Sequence, residues 1–120
     1  ATEFVRAVEH RGTLVGAVGY VEDEGNSAEI GYWIGKPYWG HGFATEAATR
    51  LVAHCFETEK RRQLTCCHFV DNLASKRVIA KLGFKLVGPC QTWCEARNER
   101  IAALQYERRR PLMSRLRRGT

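Results

Sequence analysis

Two apolar runs, Phe4–His10 and Leu14–Asp23, stand near the start of the chain and are separated by Arg11-Gly12-Thr13. A glycine-centred break between such runs predicts an antiparallel hairpin. Gly16 and Gly19 within the second run predict positions where a neighbouring backbone comes close. After the punctuation of Glu24-Gly25-Asn26, residues Ala28–Ile34 form a third expected strand, with Ile30, Tyr32 and Ile34 sharing one face. The loop Gly35-Lys36-Pro37-Tyr38-Trp39-Gly40-His41-Gly42, with three glycines, follows it.

Beyond that loop Ala44, Ala47, Ala48, Leu51, Val52 and Cys55 recur at the three/four spacing of one buried helical stripe. Glu46 precedes Arg50 by four residues on the outer face, the favourable order for a helix pair. The basic run Lys60-Arg61-Arg62 is expected to end the helix, and Leu64–Val70 to return as a strand. Asp71-Asn72 then offers a cap for a second helix, Leu73–Leu82, with Gly83 placed for a left-handed stop. Phe84–Val87 and Ile101–Tyr106 are expected as two closing strands around Arg97-Asn98-Glu99. The order β-β-β-loop-α-β-α-β-β predicts an α+β (mixed α/β) fold, with helices flanking a largely antiparallel sheet and one parallel crossover.

The chain's 120 residues suit a single domain with one core, and 44% hydrophobic with 27% charged residues argue against disorder. No apolar stretch is long enough to span a membrane and no leader is evident, so a cytoplasmic domain is expected. The net charge of +6 is unevenly placed. Residues 1–106 carry 13 Lys/Arg against 12 Asp/Glu, a net of +1, whereas residues 107–120 carry six Arg against Glu107, a net of +5. A near-neutral domain over 1–106 followed by a basic tail over 107–120 is therefore expected. The cluster from Arg108 to Arg118 suits a solvated end or a weak contact with RNA or the ribosome.

Cys55, Cys66, Cys67, Cys90 and Cys94 show neither a CxxC pair nor zinc-ligand spacing, so neither a disulfide framework nor a metal is expected. Reduced, buried thiols are the simpler expectation, although Cys66 and His68 would share a strand face.

The segment Trp39-Gly40-His41-Gly42-Phe43-Ala44-Thr45 joins a strand to a helix start, where free amides and the helix dipole favour an anion. It lacks the GK[ST] of a P-loop, and Thr45 stands where a dinucleotide fingerprint needs its third glycine. Alone, a GxG turn of this kind is as compatible with a plain tight connection as with a phosphate site.

Residues 28–48, Ala-Glu-Ile-Gly-Tyr-Trp-Ile-Gly-Lys-Pro-Tyr-Trp-Gly-His-Gly-Phe-Ala-Thr-Glu-Ala-Ala, closely resemble the acetyl-CoA motif of the GNAT superfamily of N-acetyltransferases. Trp39-x-x-Gly42-x-Ala44 fills the superfamily's Arg/Gln-x-x-Gly-x-Gly/Ala loop, with the Trp typical of the branch that includes the Rim-type ribosomal-protein N-terminal acetyltransferases. Asn72-Leu73-Ala74-Ser75 followed by Lys81-Leu82-Gly83-Phe84 is similar to the second motif of that branch.

The resemblance implies a twisted, largely antiparallel sheet with a central parallel strand pair and flanking helices, and acetyl-CoA as co-substrate without a metal. It implies that the backbone of Trp33 and Ile34 meets the pantetheine amides, that Trp39, Gly40, His41, Gly42, Phe43, Ala44 and Thr45 form the pyrophosphate loop, and that Asn72 and Ser75 meet the pantetheine arm. Asn72 has a purely structural alternative as a helix cap. Members that protonate the departing thiolate often use a Tyr on the second helix, but Ile79 occupies that position, which leaves Ser75 as the nearest acid. For the base the resemblance points to Glu29, with His68 second and a packed role its alternative. Glu46 is expected to be structural.

The strand and two helices that precede Phe4–His10 in most members have no counterpart, so the fold is expected to be N-terminally truncated, with an exposed sheet edge and a homodimer as the simplest consequence. The expected activity is acetyl transfer from acetyl-CoA to a primary amine on a peptide or small molecule: a protein N-terminus, a polyamine, an amino sugar or an aminoglycoside. The alternative is a catalytically silent CoA-binding chain that acts through its basic tail.

Overall fold

The structure is a computed structural model and describes residues 3–111. Strands β1 (Glu3–His10), β2 (Thr13–Asp23) and β3 (Ser27–Ile34) form an antiparallel meander. A single 3-10 turn at Lys36–Tyr38 leads to helix α1 (Phe43–Ala53), which is prolonged by a π-helical turn over His54–Thr58. Strand β4 (Gln63–Phe69), helix α2 (Leu73–Lys81) and strands β5 (Lys85–Cys94) and β6 (Glu99–Arg109) complete the chain. The six strands lie in the order β1-β2-β3-β4-β6-β5, and β3 and β4 are the parallel pair. The α+β sheet with one central crossover is as the element order predicted.

Both helices cover one face of this sheet. Ala48, Leu51, Val52 and Cys55 from the first helical segment and Ile79 and Leu82 from α2 pack on Val18, Tyr20, Ala28, Ile30, Leu64, Cys66 and Tyr106. The opposite face carries Val5, Val21 and Trp33 in the open, with Trp33 63% exposed. Alternation along each strand thus sorts apolar residues to the helices on one side, while the other side keeps several uncovered.

The close approaches expected at Gly16 and Gly19 are extreme. A Cβ on Gly16 would stand 2.0 Å from the Trp33 carbonyl oxygen, and one on Gly19 would stand 2.2 Å from that of Phe4. No side chain fits there, so these glycines set how tightly β2 lies against β1 and the end of β3.

The first helical segment ends at Thr58, just before the basic run as expected, with Lys60 in the left-handed region at φ 57°. Two boundaries differ from the sequence expectation. Strand β5 continues past Val87 to Cys94, through a register shift between Leu86 and Gly88. It is an edge strand, the place in a sheet where a proline such as Pro89 is tolerated. Strand β6 runs three residues past Tyr106, pairing Glu107 with Thr65, Arg108 with Leu64 and Arg109 with Gln63. Glu107–Arg109 therefore belong to the sheet and not to a basic tail. Arg108 donates to the Leu82 carbonyl at 2.7 Å and lies 5.5 Å over the Phe56 ring, so its charge closes the end of α2. Arg115, Arg117 and Arg118, which complete the expected tail, lie outside the described residues.

Arg61 from the same basic run is buried, 6% exposed. It donates to Glu22 at 2.9 Å, to Glu59 at 3.0 Å and to the Tyr20 hydroxyl at 3.3 Å. Burial alone would raise the Glu59 carboxyl, but hydrogen bonds from Tyr20, Arg61 and His54 with the Arg61 charge hold it below the usual carboxylate range. Its folded pKa being depressed, its contribution to stability is present above the unfolded pKa and lost as pH falls through the folded one. Arg61→Ala is expected to lower stability in urea unfolding by about 3 kcal/mol, because it removes a buried guanidinium that donates to Glu22, Glu59 and Tyr20 at once. A loss below about 1 kcal/mol would make the network no stronger than an exposed ion pair.

Candidate active site

Parallel pairing between β3 and β4 covers Ser27–Glu29 against Gln63–Thr65 and stops there. β3 continues five residues to Ile34 and β4 four residues to Phe69, so the two strands part beyond Glu29 and Thr65. Tyr32 reaches from the parted stretch of β3 to the first turn of α2, where its hydroxyl lies 2.7 Å from Ser75 Oγ and 3.4 Å from the Ser75 carbonyl oxygen. Burial raises the Tyr32 phenol above its usual pKa, partly offset by the Ser75 hydrogen bond.

The loop after β3 is tied to that strand's end. The Trp39 indole N–H donates to the Ile34 carbonyl at 2.7 Å, which engages the carbonyl and leaves the ring largely in solvent. Gly40 and Gly42 both adopt left-handed backbone, at φ 82° and 77°, and a Cβ on either would meet no protein atom within 4 Å. Gly42 is the N-cap of α1 and provides no side-chain acceptor; its carbonyl takes the first helical hydrogen bond, from Glu46 N–H at 3.0 Å. The amides of Phe43, Ala44 and Thr45 open the helix without a side-chain cap. Phe43 lies between two histidines, with ring centroids 4.9 Å from His10 and 5.6 Å from His41.

Helix α2 starts differently. Asn72 Oδ1 accepts from Ser75 N–H at 3.0 Å, so its side chain serves as the cap that the sequence offered as the structural alternative.

Glu29 lies exposed on the face without helices, at the last paired position before the strands part. The Cys67 thiol stands 3.9 Å from Glu29 Oε2, and burial with the Glu29 charge beside it raises that thiol's pKa. His68 sits on the other face, 4% exposed. Its Nδ1 donates to the Phe69 carbonyl at 2.7 Å, and Nε2 faces the Tyr106 hydroxyl at 3.0 Å with the two rings stacked. Both ring nitrogens are engaged, which matches the packed role, and the sheet separates this ring from Glu29. Cys66 shares the His68 face, as expected, but burial and its neighbours Cys67 and Glu29 push its thiol up to about 12. That leaves no thiolate for nucleophilic attack near neutral pH.

The sequence pattern places Tyr32 only with Ile30 and Ile34 on one strand face, and nothing in it singles out Cys67. The period-two pattern showed which face each occupies, but their partners come from α2 and from β3, across gaps in sequence of 43 and 38 residues.

Residues 1–85 match the family model described as an acetyltransferase (GNAT) domain. The chain belongs to the GNAT acetyltransferases. It is 34% identical over 85 residues to an uncharacterized N-acetyltransferase, YoaA, of Bacillus subtilis, covering 68% of this chain and 48% of the relative. It is 31% identical over 77 residues to the ribosomal-protein-serine acetyltransferase of Escherichia coli, covering 62% and 43%. The fold matches that of the microcin C7 self-immunity acetyltransferase MccE, solved in complex with acetyl-CoA and AMP, with a TM-score of 0.78 at 21% identity over 89% of this chain and 61% of that one. This GNAT chain spans about half the length of the two curated relatives.

GNAT acetyltransferases use acetyl-CoA as acetyl donor. Two features of this GNAT structure fit that co-substrate: open space above left-handed Gly40 and Gly42 beside an uncapped helix start, and a parted strand pair leading away from it. Among the described residues no group of three or more His, Cys, Asp or Glu is placed to hold a metal ion, and no helix is long and apolar enough to cross a membrane.

Proposed function

We propose that this chain carries out acetyl-CoA-dependent acetylation of a primary amine, by direct attack of the amine on the thioester. The parting of β3 and β4 immediately after Glu29, with the first turns of α1 and α2 at the same end of β3, is the observation that carries this reading. Gly40, His41, Gly42, Phe43, Ala44 and Thr45 would hold the pyrophosphate on their backbone, with Trp39 bracing the loop. The N–H of Ile34 would meet the pantetheine arm, whose other side would lie against Asn72 and Ser75; the Trp33 backbone, expected to share this role, faces β2 at Gly16 instead. Acetyl-CoA supplies the acetyl group as an activated thioester.

The chain's own residues manage protons. Glu29, exposed on the open face, takes a proton from the incoming amine. Ser75, at a helix N-terminus, offers a hydroxyl for the sulfur that departs. The amine class follows the ribosomal-protein-serine relative: a peptide with a free N-terminal serine is the first acceptor to test, beside spermidine and an aminoglycoside. A thiol-release assay with acetyl-CoA and each amine should exceed the non-enzymatic rate for at least one. Tight acetyl-CoA binding in calorimetry with no release for any amine would instead support a silent CoA-binding chain.

The open face and the edge strand β1 favour self-association, since unpaired edges and uncovered apolar surface both promote contact between copies. A two-fold dimer is expected in light scattering at micromolar concentration, and a mass near 13.6 kDa would refute it.

A further inference from the structure

We propose that Tyr32 is a positioning residue for the leaving-group acid, holding the Ser75 hydroxyl in place and restoring its proton. The inference rests on the acetyl-transfer reading above and adds a residue that neither motif assigns. Tyr32 lies on the stretch of β3 that has parted from β4, and it packs against the core with its hydroxyl reaching the first turn of α2. Its oxygen is 2.7 Å from Ser75 Oγ, a full-strength hydrogen bond between two hydroxyls. The Ser75 backbone is held in place by its own N–H, which donates to Asn72 Oδ1 at 3.0 Å, so the Tyr32 contact is what sets its side-chain hydroxyl. A backbone clamp on one side and a phenol on the other thus fix the orientation of one hydroxyl.

The proton balance is simple. As the C–S bond breaks, the Ser75 O–H bond breaks and a new S–H bond forms on the departing thiolate. The Tyr32 O–H proton passes to Ser75 Oγ, and the phenolate recovers a proton from water. A serine hydroxyl alone is a poor acid; a hydrogen bond from a phenol to its oxygen stabilises the charge that develops there. The groups facing Tyr32 favour a protonated phenol as resting state. Burial raises its pKa, and the Cys66 thiol across the opening raises it further.

Two measurements test this. The first needs no turnover: CoA is titrated with base in the presence of saturating protein, and thiolate is followed by its absorbance near 240 nm, with the free protein subtracted. Bound CoA is expected to ionise about one pH unit below free CoA, since the relay donates a hydrogen bond to the thiolate. Tyr32→Phe should remove that displacement while leaving CoA affinity in calorimetry within about threefold, and Ser75→Ala should remove it as well.

The second measurement compares kcat with the best amine of the panel. Tyr32→Phe should lower kcat about tenfold at unchanged KM for acetyl-CoA, and adding it to Ser75→Ala should cost nothing further, because the two act as a unit. Independent, additive losses, or an unshifted CoA titration in the parent protein, would overturn the proposal. The arms separate from the parent reading: a parent chain that binds acetyl-CoA and never releases thiol refutes acetyl transfer, whereas a parent that turns over with Tyr32→Phe unaffected refutes only the relay.

Discussion

Gly42→Asp is expected to weaken acetyl-CoA binding by at least about a hundredfold in calorimetry, while the fold survives nearly intact. Two effects act in the same direction. A carboxylate at the N-cap stands where the pyrophosphate is proposed to lie, so like charges meet at short range. The same carboxylate can also accept from the first amides of α1, the groups the phosphate needs. Stability changes little because the effects there oppose one another. A non-glycine residue at φ 77° costs about 1 kcal/mol, and a side-chain cap that Gly42 lacks returns about as much. Gly42→Asn isolates the charge, since Asn tolerates the left-handed region and caps without it; it should bind at least tenfold better than the Asp variant. Binding by the Asp variant within a few-fold of the parent would remove the pyrophosphate from this loop.

Glu29→Gln is expected to lower kcat by about a hundredfold at neutral pH, the usual size for losing a general base, with acetyl-CoA affinity unchanged. The substitution keeps shape and hydrogen-bonding reach, and Glu29 is an exposed residue on the open face, so the fold has little to lose. The split between kcat and affinity is the informative part. Glu29 lies on the opposite face of the sheet from the α2 turn that holds Ser75, so loss of its charge should be felt by the amine and not by the CoA arm. A simultaneous loss of affinity would make Glu29 part of the cofactor cradle. Unchanged kinetics across the pH range would pass the proton to solvent, because His68 is enclosed against Tyr106 on the far side.

Much of this architecture was legible in the order of apolar runs. The hairpin, the third strand, the glycine loop and the two helices follow from local signals: a turn between strands, a three/four stripe, a cap and a left-handed stop. What escaped depended on neighbours distant in sequence. Strand β5 runs past Val87 through Gly88 and Pro89, residues that interrupt an apolar run, and its place at the sheet edge accommodates them. Arg108 looked like tail, but pairing with Leu64 draws it over Phe56 and onto the end of α2. The candidate site divides in the same way. Glycines and the cap residue announce themselves by type and spacing. The contact between Tyr32 and Ser75, and that between Cys67 and Glu29, arise only when the crossover brings β4 and α2 beside β3.

The two helices begin with opposite local chemistry, and that asymmetry has a thermodynamic consequence. α2 carries its own cap in Asn72, so its first turn is complete within the protein. α1 starts at a glycine with no side-chain acceptor, so no side chain caps its opening amides. Protection of those amides against hydrogen exchange should therefore follow the concentration of the anion proposed to bind them, while the start of α2 exchanges at a rate set by the fold alone. At a hundred times its dissociation constant a ligand stabilises the native state by about 2.7 kcal/mol, and the first turn of α1 is where that linkage would appear as slowed exchange.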